Sequence, residues 1–181
     1  MVYVLLADGF EESEALVPTD LLRRAGVEVA LVGVTGTTVT GGHGIAVQCD
    51  LPLKKAGLEN LEMVILPGGM GGVHGISAST GALALVERAV EQGIWVAAIC
   101  AAPTILARMG VLDRRSAVCY PGMEEEMGSA VVKKGERVVM DGHIITGEAA
   151  GSAFEFGLKL VEVLRGPDAA QQVRHAVHYH G

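Results

Sequence analysis

Short, uniformly apolar segments alternate along the chain with longer segments that carry an apolar stripe. Val2–Ala7, Met63–Leu66 and Ile94–Ile99 are apolar at nearly every position and too short for helices. Such runs are typical of strands buried on both faces of a parallel sheet. Arginines and then a glycine close the first helical segment at Arg23–Gly26, and Val27–Val34 is predicted to be the next strand.

Helical patterns follow the later apolar runs. Residues 81–92 place apolar side chains on one face and charged ones opposite, which predicts an amphipathic helix. A short helix is predicted after the third apolar run, as far as Met109. Ser152 with Glu155 three residues later predicts a capping box that opens a helix to about Leu164.

Glycine-rich turns predict two hairpins. Thr37–Thr40 and Ile45–Cys49 flank the cluster Gly41–Gly44, and a second hairpin is expected over residues 130–141. The Asp141-Gly142 pair is a further turn signal before another short apolar run.

The alternation of strand and helix predicts an α/β fold, a doubly wound, mainly parallel sheet with helices on both faces. No repeat or linker interrupts the pattern, so residues 1–181 are expected to form a single domain. About residues 166–181 form a C-terminal extension, predicted to be a frayed polar tail with His175, His178 and His180.

Composition narrows the class of protein. Hydrophobic residues make up 50% of the chain, and 14 basic against 21 acidic residues give a net charge of −7. A disordered chain would be more polar, and a nucleic-acid or anionic-membrane surface would need a basic patch. No apolar run reaches membrane-spanning length and residues 1–10 lack a signal-peptide pattern, so a cytoplasmic protein is expected.

The cysteines, Cys49, Cys100 and Cys119, form no C-x-x-C pair. This pattern favours a reducing compartment over a disulfide scaffold or a thiolate zinc site. Since the C-terminal histidines have no spacing typical of a closed site, no metal is expected. No organic cofactor is expected either, because the chemistry proposed for Cys100 requires none.

Three predicted strand ends carry unusual residues: Asp8–Glu14, Pro67–Gly72 and Cys100. Because ligands bind beyond the carboxyl ends of parallel strands, these segments are expected to meet at one site. Cys100 has small neighbours and Pro103 shortly after it, as in a nucleophile elbow at a helix start, where the dipole favours a thiolate. The alternative is that Cys100 is a buried small hydrophobe.

Glu14 differs from its neighbours Glu11 and Glu12, which are expected to be solvated at a helix start. Pro18 cannot donate a hydrogen bond to the carbonyl of Glu14. A partly desolvated Glu14 carboxyl could keep its proton and donate a hydrogen bond to the sulfur of Cys100.

The backbone N–H groups of Gly68 and Gly69 could form an oxyanion hole with that of Ala101. The same loop fails as a dinucleotide fingerprint because His74 stands where a glycine is needed, and it lacks the Gly-Lys-Ser/Thr of a phosphate loop.

Four segments resemble the ThiJ/PfpI (DJ-one) family, in the class I glutamine-amidotransferase-like superfamily. They are Glu11–Glu14 with Pro18 and Asp20, Leu66–Gly69, Ala97–Pro103 and Ser152–Phe156. The resemblance implies a flavodoxin-like fold, a homodimer, a reactive Cys100 thiolate, Glu14 as its partner, and backbone donors near Gly69 and Ala101. Members are described as glutathione-independent glyoxalases, as deglycases, and as oxidation-sensing chaperones.

This chain departs from the family pattern at three places. Tyr120 stands where the DJ-one branch has a pocket histidine, and a neutral phenol is a poor general base near pH 7. Glu148 and Ala150 replace an arginine and a proline of a later pocket loop, and Ala102 replaces a glycine. Tyr120 and the neighbouring Cys119 are expected beside the pocket, with Cys119 a possible second oxidisable thiol.

The sequence therefore predicts an enzyme in which Cys100 and Glu14 act on a small carbonyl substrate such as methylglyoxal. The alternative, from another class, is a redox-sensing stress protein or chaperone switched by oxidation of Cys100.

Overall fold

A seven-stranded sheet forms the centre of the computed structural model, which describes residues 1–181. The strands are β1 Val2–Leu6, β2 Val29–Gly33, β3 Thr38–Thr40, β4 Ala46–Gln48, β5 Leu51–Pro52, β6 Met63–Leu66, β7 Trp95–Ile99, β8 Ser116–Ala117, β9 Val131–Val132, β10 Val138–Asp141 and β11 Ile144–Gly147. The helices are α1 Glu12–Arg24, α2 Met70–Ala78, α3 Thr80–Glu91, α4 Pro103–Arg108, α5 Ala153–Arg165 and α6 Pro167–Ala176.

The sheet has the order β10-β11-β7-β6-β1-β2-β5, and every pair in it is parallel except β10 with β11. Alternate side chains of β1 enter two separate apolar clusters, with Tyr3 and Leu5 in one and Val4 and Leu6 in the other. Because side chains of a strand point to opposite faces in turn, both faces of the sheet are buried. Helices α2, α3 and α4 cover one face, and α1, α5 and α6 cover the other.

This architecture confirms the predicted α/β class, a mainly parallel sheet with helices on both faces. The three apolar runs are β1, β6 and β7, the amphipathic segment is α3, and the first hairpin is β3 with β4. No helix is both long enough and apolar enough to pass through a bilayer.

The predicted hairpin over residues 130–141 is wrong. Its two halves belong to different sheets, since Val131–Val132 pairs with Ser116–Ala117 and Val138–Asp141 pairs with Ile144–Gly147. The turn at Asp141-Gly142 is the one that closes a hairpin. Turn residues mark where a strand ends, but long-range pairing decides which strand it joins.

The predicted capping box at the start of α5 is also wrong. The Ser152 hydroxyl donates to the carbonyl of Ala149 and accepts from its N–H, and Glu155 pairs with Arg137 instead. The Ser152 hydroxyl therefore bonds to the backbone of Ala149 and does not cap the first turn of α5.

The C-terminal segment is not the frayed tail that was predicted. Gly166 is followed by Pro167 at the first position of α6, where a missing N–H costs nothing. The helix packs against α5, and beyond it the ring of Tyr179 stacks on Phe154 at 5.3 Å between centroids.

Candidate functional site

Three neighbouring strands deliver the predicted site residues to one edge of the sheet. β7, β6 and β1 lie side by side, and the chain leaves their carboxyl ends at Cys100, Pro67 and Ala7. The segment after β1 leads into α1, which carries Glu14 in its first turn. The convergence expected from the sequence is therefore present.

Cys100 occupies a sharp turn between β7 and α4. Its φ is +67°, a left-handed conformation that is uncommon for a residue with a side chain. The turn is fixed on both sides, because the N–H of Cys100 donates to Gly147 at 3.0 Å and its carbonyl accepts from Tyr120 at 2.7 Å. This geometry confirms the predicted elbow, and the side chain is only partly buried.

Gly68 leaves the space in which Glu14 and Cys100 meet. A Cβ at this position would lie 2.7 Å from the Cβ of Cys100 and would overlap Oε2 of Glu14. Real Cβ contacts are not that short, so no other residue fits here. The N–H of Gly68 donates to Oε2 of Glu14 at 2.8 Å. Gly68 thus positions the carboxyl, whereas the sequence analysis expected it to donate to an oxyanion.

Glu14 is 1% exposed, and its two oxygens have different surroundings. Oε2 accepts the Gly68 N–H, while Oε1 has no hydrogen-bond partner. The group that couples to the carboxyl is the thiol of Cys100. Because Oε2 accepts the Gly68 N–H, a proton on Glu14 would sit on Oε1.

Burial raises the pKa of Glu14 to about 7, although hydrogen bonds from Cys100 and Gly68 act in the opposite direction. Burial, together with the charge of the Glu14 carboxylate, raises the pKa of the Cys100 thiol to about 12. The N–H groups of Ala101 and Gly69 lower it. The helix start favours a thiolate as expected, but α4 has only six residues and desolvation outweighs its donors.

The two groups must be described together, because the charge on one opposes the charge on the other. When Glu14 holds the proton, its repulsion of a thiolate disappears. The pair can then exist as a neutral carboxyl beside a thiolate that the N–H groups of Gly69 and Ala101 stabilise.

A cavity of about 380 Å³ opens above the sulfur. Its lining consists of Glu11, Glu14, Gly69, Met70, Cys100, Ala101, Tyr120, Met123, Ala149, Ala150 and Gly151. Met70 was not predicted to be a pocket residue, because glycines among residues 69–72 favour a loop over the helix α2.

Tyr120 lines the cavity as predicted and is 48% exposed at its mouth. Cys119 does not line it: its side chain is 3% exposed, packs in the core cluster and borders a separate cavity with Glu148. Burial and nearby carboxylates raise the pKa of Cys119 to about 11. The expectation that Cys119 belongs to the pocket is wrong because core packing draws its side chain away from Tyr120.

Glu11, Glu12 and His43 bring three ligand atoms within 4.8 Å of one another beside the cavity. Glu12 is buried rather than solvated, and it accepts from the His43 backbone and ring at 2.7 and 2.8 Å. Although burial raises its pKa, these hydrogen bonds hold the pKa of Glu12 at about 2. They are internal pairs at the positive end of α1, which opposes a cation.

Comparison of the sequence with known proteins finds relatives that cover most of this chain. The model of the DJ-1/PfpI family matches residues 1–163. Protein dj-1beta of Drosophila melanogaster is 36% identical over 172 residues, covering 94% of this chain and 92% of that protein. A Pyrococcus horikoshii protein named deglycase PH1704 is 30% identical over 165 residues, covering 91% and 99%.

Comparison of the structure with solved structures finds relatives of the same kind. The solved structure of oxidized Toxoplasma gondii DJ-1 superimposes with a TM-score of 0.94 and 33% identity, covering 99% of this chain and 98% of that one. The match thus includes the strand ends that carry the elbow, the glycine loop and the buried glutamate. The chain belongs to the DJ-1/PfpI family.

Proposed function

We propose that this protein is a cysteine-dependent enzyme that acts on small reactive carbonyl compounds. The observation that carries the proposal is the buried, unpartnered Oε1 of Glu14 beside the strained, partly exposed Cys100. An acid held next to a nucleophile, with one oxygen free, can move a proton during a reaction.

The chemistry that this pair supports is the conversion of methylglyoxal and water to lactate. The thiolate adds to the aldehyde carbon, and the carbonyl oxygen takes the Glu14 proton to give a hemithioacetal. The Glu14 carboxylate then removes the proton from that carbon and returns it to the neighbouring one, while the hydroxyl proton passes to the former ketone oxygen, which leaves a thioester of lactate. Water cleaves the thioester, releasing lactate and the free thiol.

The residues around the pair fit these roles. A carboxyl with a pKa of about 7 is suited to both taking and giving a proton near neutral pH. The N–H groups of Gly69 and Ala101 already face the sulfur and could hold an oxygen that becomes negative on the adjacent carbon. Tyr120 lines the cavity but is not assigned a proton transfer.

The relative named deglycase supports a neighbouring activity, removal of an early glycation adduct. Both activities begin with attack of a cysteine on the same kind of carbon. The proposal therefore fixes the nucleophile and the substrate class, and a free carbonyl compound is the first substrate to test.

The test is lactate formation from methylglyoxal without glutathione. Wild-type protein should form lactate, and Cys100→Ser should form none above background. Glu14→Gln keeps a hydrogen-bonding side chain but cannot carry the proton, so the rate should fall by at least about 100-fold. Cys119→Ser is the matched control and should retain the wild-type rate. Lactate formation that survives in Cys100→Ser would contradict the proposal.

One observation favours a second candidate, a redox-responsive protein. A sulfinate at Cys100 would accept hydrogen bonds from neutral Glu14 and from the N–H groups of Gly69 and Ala101. The Toxoplasma relative was solved in an oxidized form. In this case two molecules of peroxide each transfer one oxygen to the sulfur and leave as water.

Mass spectrometry separates the two candidates. If methylglyoxal turnover is negligible while limited peroxide adds two oxygens at Cys100, the sensor candidate is favoured. Wild-type lactate formation that ends when those oxygens are added favours the enzyme.

A further inference from the structure

The cavity above Cys100 is larger than methylglyoxal requires. It encloses about 380 Å³, whereas each of the five non-hydrogen atoms of methylglyoxal needs less than a water molecule's share of about 30 Å³. The space that remains is bordered by Met70, Tyr120, Met123 and Ala150. A substrate that fills it would place an apolar group on these side chains.

The charges at the cavity are all of one sign. Glu11 and Glu14 are its only ionisable carboxyls, and no lysine, arginine or histidine lines it. The Nδ1 atom of His43 lies 3.5 Å from Oε2 of Glu11 and 2.8 Å from Oε2 of Glu12. A protonated His43 carries one positive charge against the two negative charges of Glu11 and Glu12, so these three side chains together keep a net negative charge.

The backbone N–H groups of Gly69 and Ala101 contribute positive potential, but they are directed at the sulfur of Cys100. They can hold an oxygen on the reacting carbon. They do not reach a second, permanently negative group at the outer end of a substrate.

We infer that the site selects carbonyl compounds with an uncharged, apolar tail and discriminates against those carrying a carboxylate or phosphate. Met70, Tyr120 and Met123 contact the tail, and Glu11 repels the anion. An aryl α-oxoaldehyde such as phenylglyoxal represents the favoured class, and glyoxylate the rejected one. This inference rests on the proposed function for its substrates, but the charge selection belongs to the pocket itself.

Charge selection is tested without turnover, by the rates at which neutral iodoacetamide and anionic iodoacetate alkylate Cys100. Peptide mass spectrometry assigns the label, and N-acetylcysteine amide, a thiol without a carboxylate, supplies the reference ratio. The iodoacetamide-to-iodoacetate ratio at Cys100 should exceed the reference by at least about tenfold. Glu11→Gln should bring the ratio to within about threefold of the reference, and the exposed control Glu91→Gln should leave it unchanged.

Tail selection is tested by kcat/KM for phenylglyoxal relative to methylglyoxal. The ratio should favour phenylglyoxal in the wild type and fall by about tenfold in Met123→Ala, since a lost apolar contact costs about that factor. Met140→Ala removes a half-exposed methionine on β10, outside the cavity, and should not change the ratio.

The outcomes separate the two proposals. An alkylation ratio equal to the reference overturns the charge selection even if methylglyoxal is converted. A kcat/KM ratio that Met123→Ala leaves unchanged overturns the tail contact. If neither aldehyde is converted while the alkylation ratio remains high and responds to Glu11→Gln, the proposed function fails and the charge selection stands.

Discussion

Glu14 links the stability of the fold to the chemistry of the site. Its carboxyl is buried, and the pKa of about 7 means that the folded protein holds a proton which the unfolded chain releases near pH 4.5. The folded state therefore binds more protons than the unfolded state between these two values. Over that range the free energy of unfolding must fall as the pH rises.

We predict that Glu14→Gln abolishes this fall in the free energy of unfolding with rising pH. Between pH 4.5 and pH 8 the wild type should lose about 3 kcal/mol of unfolding free energy that the variant keeps. Urea denaturation at both pH values measures the difference, and titrating groups that do not interact with Glu14 cancel in the comparison. Parallel pH profiles for the two proteins would show that Glu14 is ionised in the folded state.

Gly68 is the residue that permits the contact between carboxyl and sulfur. In Gly68→Ala the added Cβ would collide with the Cβ of Cys100, so the pair must separate. A displacement of about 1 Å is expected to cost about 100-fold in lactate formation. Gly57→Ala, at a glycine with open space around it, should behave as wild type. Activity of Gly68→Ala near the wild-type rate would contradict the placement of the pair.

The sequence was sufficient to predict that Cys100 and Glu14 lie at the same edge of the sheet, because a small-residue elbow and an interior proline are local signals. It was not sufficient to separate Cys119 from Tyr120 or to reveal that Glu12 is buried under His43. Those outcomes depend on which element packs above each side chain, and that packing is long-range.

At the scale of elements, α1 is held in place by close packing against α5. A Cβ on Gly157 would lie 2.7 Å from Cδ1 of Leu21 and 3.0 Å from the Cα of Pro18. Since Glu14 lies one turn before Pro18, the glycine on α5 helps to set the position of the acid.

We predict that Gly157→Ala destabilises the protein by about 1–3 kcal/mol, as overpacking usually does. It should also lower the rate of lactate formation. The matched control is Gly81→Ala on α3, where the added methyl meets Leu53 at an ordinary 3.4 Å. That control should be as stable as wild type or slightly more stable, since alanine favours a helix. Thermal unfolding of the two variants measures these effects. An unchanged midpoint for Gly157→Ala would contradict the prediction.

Elements with a clear hydrophobic period were predicted within one or two residues, and those shaped by packing were not. α2 contains Gly71 and Gly72, which favour a loop by propensity, yet a Cβ on Gly72 would lie 2.8 Å from the Cα of Phe10. Close contact with the segment after β1 therefore requires glycine in a helix. By contrast, Gly166-Pro167-Asp168 is a local start signal for α6, in a segment that was predicted to be a frayed tail.

At the scale of the whole molecule, the family relationship leads us to propose a homodimer. Ile45 is 53% exposed on the β3–β4 hairpin, which lies outside the seven-stranded sheet. Sedimentation equilibrium should give the mass of two chains. Ile45→Glu tests the hairpin and should shift the protein toward one chain, whereas Val131→Glu, at an equally exposed site on β9, should not. A single-chain mass for the wild type would contradict the proposal.

The order β7-β6-β1 has a consequence for how the protein acquires its reactivity. Glu14, Gly68 and Cys100 are far apart in sequence, so none of their contacts exists until these three strands have docked. An alkylating pulse given during refolding should therefore label Cys100 as an ordinary cysteine at first and at its native rate only when the sheet is complete. The alkylation rate of Cys100 during refolding therefore reports when this edge of the sheet assembles.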